Sequence, residues 1–442
     1  MEIQLSDHFD YKKLLKFTLP SIVMMVFISI YSVVDGFFVS NFVGKTEFTA
    51  VNFIFPYIML FGAIGFMFGA GGSALVAKTL GENDKEKANR IFSLVVYANL
   101  VVSIILTIVG LFTVEPVAVM LGAEGDMLKY SVIYGSILVC TTPFLMSQFI
   151  FQSFFVTAEK PGLGLTMSII AGVTNILLDA LFIIVFEWGI VGAAVASAMG
   201  QIAGGVMPYI YFGKKNSSLL RLTKTKFDFK ALSQTVLNGS SEFFSNISMS
   251  LVGLIFNYQL MKYAGNDGVA AYGTICYVNF VFISIMIGYS VGTAPIIGYN
   301  FGAKNYDELK NIKKKGLIIV SITGILMTLI GLGLAYPLSY IYVGYDKILF
   351  DLTISGFMIY SFCYMFAGFS IFGSSFFTAL NNGLVSAIIS TSRTAVFQIA
   401  TVLILPIFLG VNGIWLSCVI GELLAAIAAI IFIIAFKKKY NY

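Results

Sequence analysis

The chain has 442 residues, of which 58% are hydrophobic and 11% are charged, and its net charge is +5. A soluble domain carries about 25% charged residues, so much of this surface must face lipid rather than water. One histidine and four scattered cysteines without CxxC spacing leave little material for metal, redox or acid–base chemistry. An enzyme is therefore not expected, and no cofactor is implied.

Apolar runs recur along the whole chain, each of about 20 residues, the length that crosses roughly 30 Å of hydrocarbon as a helix. They do not alternate with polar residues, which favours helices over a β-barrel. The sequence predicts an all-α polytopic membrane protein with twelve transmembrane helices. In chain order the predicted spans are 17–42, 53–77, 92–113, 131–157, 163–186, 190–212, 235–261, 269–299, 317–341, 352–379, 384–408 and 412–436.

Lysine and arginine are distributed unequally between the ends of these spans. One set of ends carries 22 of these residues, and the other carries four. Positive charge stays preferentially in the cytoplasm, so we expect a multi-pass protein of the cell (inner) membrane with both termini cytoplasmic. The positive net charge therefore reflects orientation in the bilayer, and no nucleic-acid partner is predicted.

The sequence repeats itself at an offset of 221 residues. Seven of thirteen positions agree between 151–163 and 372–384, and loop glycines such as Gly81 and Gly302 stay in register. This pattern indicates a duplication. Six helices per copy is an even number, so the copies enter the membrane the same way up, as in parallel-repeat transporters. We expect a first lobe at 1–213, a cytoplasmic linker at 214–232 and a second lobe at 233–442.

Five charged residues interrupt the apolar runs: Asp35, Asp179, Glu242, Arg393 and Glu422. A charge at the centre of a transmembrane helix costs about 2.5–3.5 kcal/mol on insertion scales, so each one calls for a reason.

The two acids of the first lobe are expected to meet. Counted from the helix ends, Asp35 and Asp179 lie at similar depths in the outer half of the membrane. Asn175 is one turn before Asp179 on the same helix face, and Ser197 reaches the same layer from the sixth helix. We predict one site formed by Asp35, Asn175, Asp179 and Ser197.

This acidic site is predicted in one lobe only, since no acid lies 221 residues beyond Asp35, Asn175 or Asp179. A structural hydrogen-bond network is the alternative, but such a network would be expected in both copies. Two carboxylates in a low-dielectric layer cannot both stay charged without a cation. The pair is therefore expected to bind a proton, or Na⁺ together with the Asn175 oxygen, and so to respond to an ion gradient.

The second lobe leads to a different expectation. Glu242 and Arg393 lie at similar depths near the inner ends of their helices, so they are predicted either to form a buried ion pair or to contact substrate. Glu422 has no predicted partner. Pro20 interrupts backbone hydrogen bonding in the first helix and is a candidate bend.

Several motifs at these positions resemble the multidrug and toxic compound extrusion (MATE) family. They cover the first, second, fifth and eighth helices, and the resemblance extends over essentially all twelve. The motifs are LPSI at 19–22, VDGFFV at 34–39, AKTLG at 77–81, NILLD at 175–179 and APIIGYNFGA at 294–303.

The resemblance implies an antiporter that expels organic, often cationic, compounds in exchange for H⁺ or Na⁺ by alternating access. It also implies that Asp35, Asn175, Asp179 and Ser197 form the cation site. In another branch of the family an acid lies well inside the seventh helix, whereas Glu242 lies nearer the inner end. The expected partners are drug-like cations and the lipid bilayer, and a monomer is expected.

Two other transport functions are compatible with this helix plan. A flippase for lipids or lipid-linked oligosaccharides would need more basic residues in its cleft to hold phosphates, and only Arg393 is a cation within a span. A major-facilitator carrier would need a charged motif with Arg between its second and third helices, where this chain has GENDK at 81–85. A channel is disfavoured because no filter-like loop is present.

Overall fold

The computed structural model describes residues 3–442, which contain helices and no strand. Spans are labelled in chain order. The first six are α1 (Tyr11–Val43), α2 (Lys45–Gly81), α3 (Lys85–Met120), α4 (Gly125–Cys140 with Thr142–Thr157), α5 (Pro161–Val185) and α6 (Gly189–Gly213). The second six are α7 (229–264), α8 (266–302), α9 (Tyr306–Val343), α10 (Lys347–Ala379), α11 (Gly383–Leu409) and α12 (Val411–Ala435).

Twelve spans follow from this arrangement. Ten helices in the described range are long and apolar enough to cross a membrane, and α4, bent by 58° at Thr141, is an eleventh. One of the ten, Phe229–Gly302, has 74 residues. At 1.5 Å per residue it would be about 110 Å long, far more than one bilayer. Its backbone breaks at Gly265, with φ 61° and ψ −152°, so it makes two spans. The predicted all-α fold with twelve transmembrane helices is confirmed.

Most helices extend beyond the predicted apolar runs. Polar caps that lie outside the runs explain these extra turns, since a side-chain oxygen at the N-cap satisfies a free backbone N–H. The Asp10 carboxylate accepts from the Lys13 N–H at 2.7 Å, and the Asp84 carboxylate accepts from the Lys87 N–H at 2.9 Å. The lysine-bearing turns that precede the apolar runs of α1 and α3 are therefore helical, like the runs themselves.

Three spans contain a π-helical segment next to a charged residue. The segment Val39–Val43 ends α1 shortly after Asp35, Ala180–Val185 follows Asp179 directly, and Ser392–Phe397 contains Arg393. Such segments interrupt the regular backbone ladder and occur frequently at functional sites. They mark the places where the spans depart from regular helix.

The segment between the two sets of helices lies against α3. Residues 214–228 contain no helix, and α7 begins at Phe229. The Thr223 N–H donates to the Ser93 hydroxyl at 2.8 Å, and the Arg221 N–H donates to the Asn89 side chain at 2.7 Å. The segment is therefore attached to the first half of the chain. The lobe boundaries predicted at 213 and 233 stay predictions.

We call the end of the bundle that carries most lysines the basic face; it holds the start of α1 and the loops α2–α3, α6–α7 and α8–α9. Near this face the halves pack backbone to backbone. A side chain at Gly81 would collide with the carbonyl oxygen of Tyr299, and one at Gly71 with that of Thr235. Glycine permits this close approach of α2 to α8 and α7.

Contact between the halves is concentrated in the basic part of the bundle. Among residues 3–442, the hydrogen bonds farthest from the basic face that join the halves are made by Ser29 of α1, which donates to the Phe280 carbonyl oxygen and pairs with Ser284 of α8. The glycine approaches of α8 to α1, at Gly288 and Gly292, also lie on the basic side of that pair. The halves are thus joined from the basic face to mid-membrane.

Candidate cation site

The structure brings Asp35, Asn175, Asp179 and Ser197 together between α1, α5 and α6. The Ser197 hydroxyl donates to Asp35 Oδ1 at 3.3 Å, and Asn175 Nδ2 donates to the Ser197 hydroxyl oxygen at 3.4 Å. Asp179 lies one helical turn after Asn175 and next to Asp35. The shared layer expected from helix depth is therefore present in the structure, while the function of these residues stays a prediction.

Asp179 is the unusual member of this group. Its side chain is fully buried, at 0% exposure, and neither carboxylate oxygen has a hydrogen-bond partner within residues 3–442. Asp35, its acidic neighbour, is half-buried. An uncompensated buried charge is expensive, and two adjacent carboxylates make it more so. A proton or a small cation between the two acids would remove that cost.

Two tyrosines join the site that the sequence did not predict. Tyr134 of α4 is 3% exposed and adjoins Ser197 and both acids. Tyr31 lies one turn before Asp35 on α1 and faces it. The spacing of Tyr31 from Asp35 was visible in the sequence. Nothing in the sequence indicated that α4 packs against the cation site, so Tyr134 could not be predicted as a member of it.

The donor set favours hard cations. It contains two carboxylates, one amide and hydroxyl groups, all offering oxygen, which hard cations prefer. No group of three or more His, Cys, Asp or Glu side chains in the described part of the chain is placed to hold a metal ion. Na⁺ would therefore need the Asn175 and Ser197 oxygens in addition to the acids, whereas a proton would need only the acids.

In the second half, the predicted pairing of Glu242 with Arg393 is wrong. Arg393 Nε donates to both carboxylate oxygens of Glu422, at 3.0 and 2.9 Å. The Ser370 hydroxyl also donates to Glu422, at 3.5 Å. The cause is helix adjacency: α11 and α12 pack side by side, and the long arginine side chain bridges the difference in depth of about one turn.

The remaining predicted residues have no such partners. Glu242 is half-buried with Arg393 as its charged neighbour, but no ion pair forms between them among the described residues. Pro20 lies inside the uninterrupted helix Tyr11–Phe38. A role for Glu242 in substrate contact and for Pro20 as a bend stay predictions.

Comparison with known proteins decides the family. The family model MatE matches the chain twice, at residues 20–181 and 243–404. The chain belongs to the MatE family. The two matched ranges have equal length and start 223 residues apart, as an internal duplication requires.

Relatives and solved structures agree with this family. The chain is 30% identical over 314 residues to a protein of Staphylococcus haemolyticus named "Multidrug export protein MepA", covering 71% of this chain and 68% of the relative. It is 24% identical to the protein of that name in Staphylococcus saprophyticus, covering 97% and 94%. A solved multidrug resistance MATE family transporter, in an outward-facing conformation, superimposes with a TM-score of 0.92 at 21% identity, covering 98% of each chain. The protein is thus a multi-pass membrane transporter of this family with its twelve-helix fold.

Proposed function

We propose that this MatE protein is a secondary antiporter that exports organic, often cationic, compounds in exchange for H⁺ or Na⁺. The names of its relatives support drug export. The observation that carries the coupling is the Asp179 carboxylate, which is buried beside Asp35 and accepts no hydrogen bond from residues 3–442. A group in that state gains free energy from any small cation that can reach it.

The distribution of contacts supports alternating access. The halves are joined on the basic face, which we assign to the cytoplasm from its excess of lysine and arginine. A carrier closed on that side has its cleft directed outward. Asp35 and Asp179 lie on the outer side of the Ser29–Ser284 contact, where external H⁺ or Na⁺ would arrive first.

Helix α1 connects the cation site to the contact between the halves. Asp35 and Ser29 lie on this helix six residues apart, about 9 Å along its axis. Nearer the basic face, Ser21 and Thr18 of α1 lie against Gly288 and Gly292 of α8. A shift of α1 on cation binding at Asp35 would therefore disturb its packing against the second half. Substrate release outward and reopening inward would follow from that disturbance.

The flippase alternative gains no support from the site. Lipid phosphates would need free cationic groups, whereas Arg393, the cation within a span, is already bound to Glu422. Export of cations fits the acids of the first half better.

The decisive experiment is efflux of a fluorescent organic cation from proteoliposomes under separately imposed pH and Na⁺ gradients. We expect one gradient to drive efflux in the wild-type protein, and Asp179→Asn to lose that dependence. Glu115→Gln is the matched control, because Glu115 is an exposed acid near the end of α3. Wild-type coupled efflux in Asp179→Asn would contradict the proposal. The gradient that drives the wild type identifies the coupling ion.

A further inference from the structure

Residues 3–10, which we call the N-terminal strap, precede α1 and cross the basic face between the two halves. The strap contains no helix, yet Leu5 and Phe9 are completely buried, at 0% exposure. Both side chains belong to one apolar cluster that also contains Val156 of α4 in the first half and Ile312 of α9 in the second. The strap therefore fills space that the two halves share.

Leu5 is bonded to both halves through its backbone. Its N–H donates to Glu159 Oε1 at 2.6 Å, and Glu159 follows α4 in the first half. Its carbonyl oxygen accepts from Asn300 Nδ2 at 3.3 Å, and Asn300 lies near the basic end of α8. One residue thus links the halves at the face where they meet.

Phe9 and His8 are bonded to the start of α9. The Phe9 N–H donates to Glu308 Oε1 at 3.0 Å, and its carbonyl oxygen accepts from Asn311 Nδ2 at 3.0 Å and Lys315 Nζ at 2.5 Å. His8 Nδ1 lies 2.6 Å from Glu308 Oε2. Glu308 is buried, with 6% exposure, although it lies in the first turn of a helix next to water. Its burial is explained by the strap that covers it.

The strap is attached to the first half through α1 and is expected to move with it. It continues directly into α1, whose N-cap is Asp10, and Lys13 of α1 forms an ion pair with Asp7 at 2.8 Å. Of the eight hydrogen bonds described between residues 3–213 and 229–442, five involve the strap. The strap is therefore the main polar connection between the halves.

We propose that the N-terminal strap is a latch that keeps the carrier closed at the basic face. It must leave Asn300, Glu308 and Asn311 before the cleft opens on that side. The inference rests on the proposed function in one respect, the alternation of access, and is independent of which ion drives it. A weakened latch would raise the population of molecules that are open at the basic face.

The test measures that population directly, by double electron–electron resonance on the full-length protein in nanodiscs. Spin labels are attached at Lys87→Cys of α3 and Lys314→Cys of α9, two exposed positions on the basic face, after replacement of the four native cysteines. Glu308→Ala removes the acceptor for Phe9 and His8. Asp307→Asn is the matched control, since Asp307 precedes Glu308 and, within residues 3–442, forms an ion pair with the exposed Lys310 alone.

We expect Glu308→Ala to raise the ratio of open to closed molecules at least about tenfold, because hydrogen bonds to a buried charge are lost in the closed state only. Asp307→Asn should leave the ratio unchanged. Asn300→Ala removes the donor to the Leu5 carbonyl oxygen and should raise the same ratio. It is the variant that tests the latch if Glu308→Ala does not fold.

The outcomes separate the latch from alternating access. The parent is the spin-labelled protein that carries neither Glu308→Ala nor Asn300→Ala. If it shows two label-to-label distances, and both variants show the same two distances in the same proportions, the latch is wrong and alternating access stands. If the parent and both variants show the same single distance at every pH and Na⁺ concentration, alternating access is contradicted and the latch with it. If the parent shows a single distance and either variant adds the longer one, the latch is supported.

Discussion

In the first half of the chain, Asp179 is completely buried beside a second acid and accepts no hydrogen bond from the described residues, whereas in the second half Arg393 donates to both oxygens of Glu422. Both arrangements place charge within the membrane. The second is neutralised by its own side chains, and the first is not. A buried charge that no protein side chain neutralises can bind an exchangeable cation. A buried charge that is neutralised within the protein can instead hold two helices together.

The internal repeat makes this comparison sharper. The position equivalent to Glu422 in the first half is Gln201, whose side-chain oxygen accepts from the Thr141 hydroxyl at 2.7 Å. The first half thus makes a neutral polar link where the second half has an ion pair. Equivalent positions of the duplicated fold thus carry different chemistry and link different helices, α4 with α6 in the first half and α11 with α12 in the second. The adjacent pair of acids, Asp35 and Asp179, occurs in the first half.

The largest expected effect concerns the paired charges. Arg393→Ala should destabilise the protein by about 3–5 kcal/mol, because it leaves the buried Glu422 carboxylate without its partner. Unfolding in detergent, followed by circular dichroism, measures the change. The double variant Arg393→Met with Glu422→Leu should recover most of the loss, since it removes both charges. If Arg393→Ala leaves stability unaltered, the pair is not structural and the contrast between the halves fails.

A smaller effect is expected where the charges are unpaired. The coupling ion should stabilise the wild-type protein, by about 2.7 kcal/mol when its concentration is 100 times its dissociation constant. Asp179→Asn should abolish this dependence without lowering the basal stability, because the amide carries no charge to compensate. Melting temperatures over a series of Na⁺ concentrations and pH values test this. Glu115→Gln should keep the wild-type dependence, and an equal loss there would show that the effect is not local.

The sequence contained enough information to find the first site. Buried acids are rare and costly, Asn175 and Asp179 are four residues apart, and helix length converts to depth with an error of about one turn. The same error misled the pairing in the second half. Depth alone favoured Glu242 for Arg393, but the choice depended on which helices are neighbours and how far an arginine reaches.

The N-terminal strap was not predicted because its order is not encoded locally. Residues 3–10 mix polar and apolar side chains without a helical period, and Leu5 and Phe9 become buried only where α4, α8 and α9 converge. Its partners Asn300 and Glu308 lie about 300 residues away in sequence. Tyr134 was missed for a similar reason, since its place in the site depends on the packing of α4 rather than on any spacing.

The smallest expected effect is at Ser197, which donates to Asp35 and accepts from Asn175. Ser197→Ala should weaken the apparent affinity for the coupling ion about fivefold, the loss of roughly one ordinary hydrogen bond, because both partners stay in place and water can replace the hydroxyl. Ser197→Thr keeps the hydroxyl and should stay close to the wild type. The measurement is the ion concentration that gives half-maximal efflux. A loss of more than about a hundredfold would mean that the hydroxyl oxygen binds the ion itself, which a proton does not require and Na⁺ does. The size of this small effect therefore distinguishes the two coupling ions at the level of a single atom.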